Sequence, residues 1–240
     1  AVFIKDFIIQ GIIGIHEMGH MAASYRHGIR SSLPYFIPGI PVITLPTFGA
    51  LIMSKEPILN RDSLFDLGIS GPLAGLAVTI LVAIQGALTS KYIPTEEALI
   101  LVNEGKILQL ASSPLMNWIF ESVSKTPDGM TMILSPLGFA AWLGFFITFL
   151  NLIPAGQLDG GHIARATVGR KVHKIASFGS VGLLILLGYT FMALLILFMM
   201  MRRVDARPLD DKSPLSNSRK ILFVLILGLA ILMAPIPLHF

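Results

Sequence analysis

The sequence predicts an all-α polytopic membrane protein with about five transmembrane helices and a short re-entrant β hairpin between the first two. Of its 240 residues, 54% are hydrophobic and only 13% are charged, which is far from the composition of an average soluble domain. Too little polar sequence remains to coat five buried helices of a soluble protein. Five apolar stretches approach the length of about 20 residues that spans a bilayer. They are, roughly, 7–25, 67–88, 132–153, 175–201 and 221–238.

Composition also limits the chemistry that the chain can use. It contains no cysteine, so any metal must be held by nitrogen and oxygen ligands. The net charge is only +4, and the basic residues flank the apolar runs in short segments rather than forming one continuous strip. We therefore expect a multi-pass integral membrane protein whose surroundings are the lipid bilayer, with no nucleic acid as a partner.

The segment 37–53, between the first two spans, is apolar but is broken by prolines and glycines. It is too short and too interrupted for a spanning helix. The alternation of Val42, Ile43, Thr44 and Leu45 suits short extended strands. Two interpretations remain equally open, a re-entrant hairpin beside a cavity and a loop on the membrane surface, because non-helical backbone inside a bilayer needs protein or water to cover it.

The second span contains glycines at positions 71 and 75, which share one helix face. Small residues with this spacing let two membrane helices approach closely. By itself this pattern indicates packing and no chemistry. The polar connection at about 90–131 is interpreted as an interfacial loop, and the charged connection at about 202–220 as a solvated linker.

The first span contains the pattern H-E-x-x-H, formed by His16, Glu17 and His20. Positions four apart lie on one face of a helix, so both imidazoles can reach the same ion while Glu17 lies beside it. The alternative is a pair of histidines that is satisfied within the helix bundle. That alternative is disfavoured because three ionisable groups in an apolar run cost free energy to insert.

A catalytic zinc ion that keeps one open position needs a third protein ligand. The strongest candidate is Asp159, at the end of the sequence N-L-I-P-A-G-Q-L-D directly after the third apolar run. Pro154 should end the helix, and the nearby glycines let an irregular segment aim Asp159 inward. An ordinary interfacial aspartate is the alternative. His162 could replace Asp159, but we expect it to support the site or to have no role.

The order of the spans provides an independent check on this ligand set. One crossing separates the first span from the third, so these two helices should run parallel. His20 and Asp159 both fall toward the C-terminal ends of their spans and should lie in the same half of the membrane. His20 precedes Arg26 by six residues, which would place a metal about 10 Å below the interface.

The chain resembles the site-2 protease family of intramembrane metalloproteases. The two signatures of that family, H-E-x-x-H and N-x-x-P-x-x-x-x-D-G, are complete here at 16–20 and 151–160. The resemblance implies hydrolysis of a peptide bond in or near the transmembrane helix of a substrate protein. It also implies one zinc ion per chain, held by His16, His20 and Asp159. Transmembrane substrate proteins are the partners it implies.

The resemblance also indicates a domain organisation. Residues 1–162 would form a three-helix catalytic core that includes the segment 37–53 and the interfacial loop 90–131. Residues 163–240 would add two C-terminal transmembrane helices with the charged linker 202–220. The helix that often precedes the H-E-x-x-H helix in this family is absent from the sequence, and the chain does not begin with methionine, so a preceding span is expected in a longer chain.

The expected catalytic residues are Glu17 and Asn151. Glu17 would act as the general base toward a zinc-activated water. Asn151 lies about two helical turns before Asp159 and could donate a hydrogen bond to the oxyanion or to the substrate backbone. A polar packing contact between helices is an equally weighted role for Asn151.

Two other functions use similar ligands. Membrane proteases of the prenyl-protein processing type also have H-E-x-x-H but take a later glutamate, and here no glutamate follows Glu121. A metal-binding membrane transporter or a non-catalytic membrane protein could use the same three ligands. Glu17 separates these hypotheses, because only a protease requires a general base beside the metal.

Overall fold

The computed structural model describes residues 2–33, 35–38, 47–51, 56–201 and 208–235. Over these residues the chain is mostly helical, as the predicted fold class requires. The elements, in chain order, are α1 (Val2–Arg26), β1 (Tyr35–Pro38), β2 (Thr47–Leu51), α2 (Arg61–Thr89), β3 (Lys91–Pro94), α3 (Thr95–Asn103), α4 (Pro114–Val123), β4 (Met130–Ile133), α5 (Pro136–Leu152), α6 (Asp159–Leu186), α7 (Thr190–Met201) and α8 (Asn217–Met233).

Helix α2 lies at the centre of the structure and packs against α1, α5 and α6. Its N-terminus is capped by the Asn60 side chain, which accepts a hydrogen bond from the Ser63 backbone N–H. Among the described residues, α2 is the one helix that is long and apolar enough by itself to cross a bilayer. It contains the second predicted span, whereas the spans predicted at 7–25, 132–153 and 221–238 stay predictions.

The helix predicted over 175–201 is wrong as a single element. The chain leaves the helical conformation at Leu187–Tyr189, so this stretch is divided between α6 and α7. Gly188 there has a φ of 83°, a left-handed conformation that ends helices and that glycine adopts without a steric cost. The sequence stays apolar on both sides of this break, so hydropathy alone does not predict it.

Helix α6 itself is divided at Gly169, whose φ of 78° and ψ of 177° are not helical. The first segment, 159–168, therefore ends at a sharp turn, and a second segment, 170–186, follows it. This turn places the first and second halves of α6 on separate axes. It determines which residues of the second half lie beside the end of α5.

Two small antiparallel sheets accompany the helices. In the first, Tyr35 of β1 lies opposite Leu51 of β2, so the segment 37–53 has paired strands at its two ends. The residues at 39–46 and 52–53 lie outside the described part of the chain, and the re-entrant position of the hairpin stays a prediction. The second sheet, β3–β4, pairs Lys91 with Ile133 and was not predicted. It joins the two ends of the interfacial connection.

The charged connection before α8 is docked rather than solvated over its described part, 208–216. Pro208 is fully buried and Leu215 is 3% exposed. The Leu209 N–H donates to the Ile58 carbonyl at 2.9 Å. The buried Arg165 of α6 donates to both carboxylate oxygens of Asp211, at 3.0 and 2.7 Å. The charged residues of this segment predicted a solvated linker, but one of them, Asp211, pairs with α6.

Arg219, in the first turn of α8, connects α8 to the start of α2. Its guanidinium donates to both carboxylate oxygens of Asp66, at 2.7 and 2.6 Å, and to Asp62 at 2.8 Å. Asp66 also accepts a hydrogen bond from Nε2 of His27, at the end of α1, at 2.9 Å. Charge-assisted bidentate pairs of this kind are among the stronger hydrogen bonds in proteins. This cluster therefore ties three helices together.

We predict that Arg219→Ala destabilises the protein by about 1–3 kcal/mol, because it leaves two partly buried carboxylates without their cation. Lys220→Ala is the matched control, since the Lys220 ammonium donates to the side-chain oxygen of Asn217 at an exposed position. The apparent midpoint of thermal unfolding in detergent should fall for Arg219→Ala alone. Equal midpoints for the two variants would contradict the role assigned to this cluster.

Candidate metal centre

His16, His20 and Asp159 converge at one point between α1 and the start of α6. The Nε2 atoms of the two histidines lie 3.0 Å apart. Oδ2 of Asp159 lies 3.1 Å from Nε2 of His16, and Oδ1 lies 3.3 Å from Nε2 of His20. Among the described residues, this is the one group of three or more histidine, aspartate or glutamate side chains close enough to share an ion.

The spacing of these donor atoms fits tetrahedral coordination. Zinc–nitrogen and zinc–oxygen bonds of 2.0–2.2 Å place tetrahedral ligand atoms about 3.3–3.5 Å apart. The two Nε2 atoms lie 3.0 Å apart, and each lies 3.1 or 3.3 Å from a different oxygen of the Asp159 carboxylate, so each pairwise approach is close to that value. Two imidazoles and one carboxylate would fill three of the four positions. The fourth position would remain for water or substrate.

The ring of His20 is held in the orientation that a metal ligand needs. Its Nδ1 atom lies 2.7 Å from the Leu67 carbonyl oxygen of α2. A carbonyl only accepts, so Nδ1 carries the hydrogen, and Nε2 keeps its lone pair facing His16 and Asp159. A hydrogen bond to the second ring nitrogen is the usual support for a metal-binding histidine.

Two glycines of α2 make room for the two histidine rings. A Cβ atom at Gly71 would lie 2.2 Å from Nε2 of His20, and one at Gly75 would lie 3.2 Å from Cβ of His16. From sequence, the spacing of these glycines predicts only close helix packing. The two glycines are four residues apart on α2, and the two histidines are four residues apart on α1. This equal spacing on two successive helices was the sequence signal for their contact.

Asp159 is the first residue of α6 rather than part of an irregular segment. The first turn of α6 rests directly on the end of α5, because a Cβ atom at Gly160 would lie 2.2 Å from the Leu152 carbonyl oxygen. A helix N-terminus carries a partial positive charge that favours a carboxylate. The turn after Pro154 therefore places Asp159 at the N-terminus of α6, where the partial positive charge of the helix stabilises its carboxylate.

The remaining predicted residues surround this cluster without joining it. Glu17 is half-buried and interacts electrostatically with all three of the converging side chains. Among the described residues, no group forms a hydrogen bond with the Glu17 or Asn151 side chain. Asn151 lies in the last turn of α5. His162 is outside the converging group, and His27 is bound to Asp66.

Comparison with known proteins agrees with this geometry. The family profile described as Peptidase family M50 matches residues 6–195, which is most of the chain. The chain belongs to peptidase family M50. The resemblance to the site-2 protease family is thereby confirmed.

Several curated plant proteins are similar to this chain. "Probable zinc metalloprotease EGY2, chloroplastic" from Oryza sativa subsp. indica is 32% identical over 179 residues, covering 74% of this chain and 31% of the relative. The protein of the same name from Arabidopsis thaliana is 27% identical and covers 95% and 41%. "Probable zinc metalloprotease EGY1, chloroplastic" from Arabidopsis thaliana is 27% identical and covers 93% and 41%. The chain thus spans less than half the length of these relatives. No solved structure matches it.

We predict that Gly71→Ala weakens zinc binding about 10- to 100-fold, because the added methyl group must displace the His20 ring. Gly11→Ala is the matched control, since it adds a methyl group to α1 where nothing lies within 4 Å. The measurement is zinc affinity by competition with a chelator in detergent. Unchanged affinity in Gly71→Ala would contradict the role of this glycine.

Proposed function

We propose that this M50-family chain is an intramembrane zinc metalloendopeptidase that hydrolyses a peptide bond in or near the transmembrane helix of a substrate protein. The observation that carries the proposal is the convergence of His16, His20 and Asp159, whose Nε2 and carboxylate oxygen atoms approach one another to 3.0–3.3 Å. Glu17 lies beside them on the same helix. The names of the similar plant proteins, probable zinc metalloproteases, support the same function.

In this proposal, one zinc ion is held by Nε2 of His16, Nε2 of His20 and the Asp159 carboxylate. When bound, zinc acts as a Lewis acid that makes water more acidic and the scissile carbonyl more electrophilic. The absence of cysteine agrees with a nitrogen and oxygen ligand set. In the neutral His20 ring, the hydrogen bond to Leu67 places the hydrogen on Nδ1 and leaves the Nε2 lone pair for the ion.

Glu17 is the general base. It accepts a proton from the attacking water as the water oxygen adds to the scissile carbonyl carbon, and it later delivers that proton to the amine nitrogen as the C–N bond breaks. Among the described residues no group forms a hydrogen bond with the Glu17 carboxylate, so it is available for this exchange. Asn151 would donate a hydrogen bond to the developing oxyanion or to the substrate backbone; its alternative role is a packing contact.

The membrane setting of the reaction is part of the proposal. The chain would cross the bilayer about five times, with the site among α1, α2 and the start of α6. A substrate helix has all its backbone hydrogen bonds made, so it must be partly unwound before a carbonyl can reach the site. Strand β2 lies against α1, and a re-entrant β1–β2 hairpin could receive the unwound segment as an added strand.

We predict that Glu17→Gln lowers cleavage of a model transmembrane substrate by about 10²–10⁴-fold while zinc stays bound, because only the proton acceptor is removed. Asp159→Ala should instead lose both zinc and cleavage. Glu97→Gln, at an exposed position of α3, is the matched control. Cleavage is followed on gels, and bound zinc is measured by mass spectrometry of the purified protein.

A transporter would give a different result in the same experiment. Reconstituted in vesicles, it would carry zinc across the membrane and would cleave no substrate. Full cleavage activity in Glu17→Gln would contradict the general-base assignment. Metal flux without cleavage by the wild type would contradict the protease assignment itself.

We predict that proline in β2 reduces cleavage, because it removes a backbone N–H that an added strand would need. Consecutive N–H groups of a strand point to opposite edges, so Ala50→Pro and Leu51→Pro together test both edges. One proline should lower cleavage by removing an N–H from the edge of β2 that faces away from β1, where the substrate would pair. The other should lower cleavage by removing an N–H that faces β1. Unchanged cleavage in both variants would count against substrate binding as an added strand.

A further inference from the structure

The loop at 153–158 determines where Asp159 begins α6. It is short and well packed, with Ala155 fully buried. The Ala155 N–H donates to the Ile153 carbonyl at 2.7 Å, and the Leu158 N–H donates to the Ala155 carbonyl at 3.1 Å. Gly156, at the centre of the loop, has a φ of 53°. The backbone N–H of Gly156 points away from the loop to a side chain of α6.

That side chain is Ser177, which is 1% exposed. Its Oγ atom accepts a hydrogen bond from the Gly156 N–H at 3.0 Å. Its own hydrogen goes to the His173 carbonyl at 2.8 Å, with the Pro154 carbonyl at a longer 3.4 Å. One buried hydroxyl therefore joins the middle of the loop to the second half of α6.

The turn at Gly169 makes this contact possible. From Asp159 to Gly169 the helix rises about 15 Å, and from Gly169 to Ser177 about 12 Å. Because the direction changes at Gly169, the second segment can return to the level at which the first began. A straight helix would have put Ser177 about 27 Å from Asp159.

Gly156 is coupled directly to the turn that contains Asp159. A Cβ atom at Gly161 would lie 2.8 Å from the Ala155 carbonyl oxygen, which shares a peptide unit with the Gly156 N–H, and 2.4 Å from the Gly156 carbonyl oxygen. The Ala155–Gly156 peptide unit, here called the Gly156 peptide, therefore rests against the first turn of α6. A shift of this peptide must therefore move the first turn, and Asp159 lies only two residues before Gly161. The Ser177 hydroxyl holds that peptide in place from the other side.

We propose that Ser177 is a positioning residue for the metal ligand Asp159, acting through the Gly156 peptide. The proposal rests on the proposed function, because it assigns Asp159 to the metal. Ser177 touches neither the ligands nor the substrate. It keeps the Asp159 carboxylate at 3.1 and 3.3 Å from the two histidine nitrogens by fixing the loop that precedes it.

Ser180 provides a matched control within the same helix. It is also buried, at 7% exposure, and its hydroxyl donates to the carbonyl four residues earlier, that of Ala176, at 2.9 Å. This is the same helical bond that Ser177 makes to His173. Of the two, Ser177 alone also accepts from the Gly156 N–H and lies 3.4 Å from the Pro154 carbonyl and 3.3 Å from Nε2 of His173. A comparison of the two serines thus separates these contacts from the helical bond that both make.

The experiment compares Ser177→Ala, Ser177→Thr and Ser180→Ala as full-length chains in detergent. Zinc affinity is measured by competition with a chelator, and thermal unfolding is measured on the metal-free protein. We expect Ser177→Ala to weaken zinc affinity about 10-fold or more, the range found for outer-shell supports of metal ligands. Ser180→Ala should leave it unchanged, and Ser177→Thr, which keeps the hydroxyl, should recover most of the loss.

Wild-type zinc affinity in Ser177→Ala would overturn the proposal. An equal loss in Ser177→Ala and Ser180→Ala, accompanied by equal drops in the unfolding temperature, would also overturn it, because the effect would then be one of helix stability. If the wild type binds zinc but cleaves no substrate, the proposed function fails while the affinity differences still test Ser177. If the wild type binds no zinc, both proposals fail.

Discussion

The close approach of α1 to α2 is the constraint on which the metal centre depends. The rings of His16 and His20 lie where side chains at Gly75 and Gly71 would otherwise be. At this separation the Leu67 carbonyl can orient His20, and both Nε2 atoms are left facing Asp159. In the bilayer proposed for this chain, apolar burial would add little to helix association, so packing through small residues and interhelical hydrogen bonds would supply much of the attraction. The same contact therefore builds the helix pair and the site.

Several polar groups elsewhere in the described part of the chain pair elements that are far apart in sequence. Arg219 joins α8 to Asp62 and Asp66 of α2, and Arg165 of α6 joins Asp211. The Ser177 hydroxyl serves the loop before Asp159 in the same manner. Each pair fixes a segment beside α2 or α6, so the C-terminal third of the chain supports the ligand-bearing elements rather than standing apart from them.

The parts predicted from sequence are those that depend on local periodicity and on counting crossings. His16 and His20 follow from a spacing of four on a helix, and Asp159 follows from a helix-ending proline and the parity of the spans. The reversal at Gly169, the β3–β4 pairing and the docking of 208–216 depend on contacts between distant residues. Neither a single glycine in an apolar run nor a run of charges identifies such contacts, so they could not be predicted from the pattern alone.

Diffraction from crystals of the zinc-loaded protein, recorded at the zinc absorption edge, tests the central claim most directly. The account predicts a single anomalous peak about 2.0–2.2 Å from Nε2 of His16, Nε2 of His20 and a carboxylate oxygen of Asp159. A peak bound by the histidines but remote from Asp159, or a peak at other residues, would contradict it.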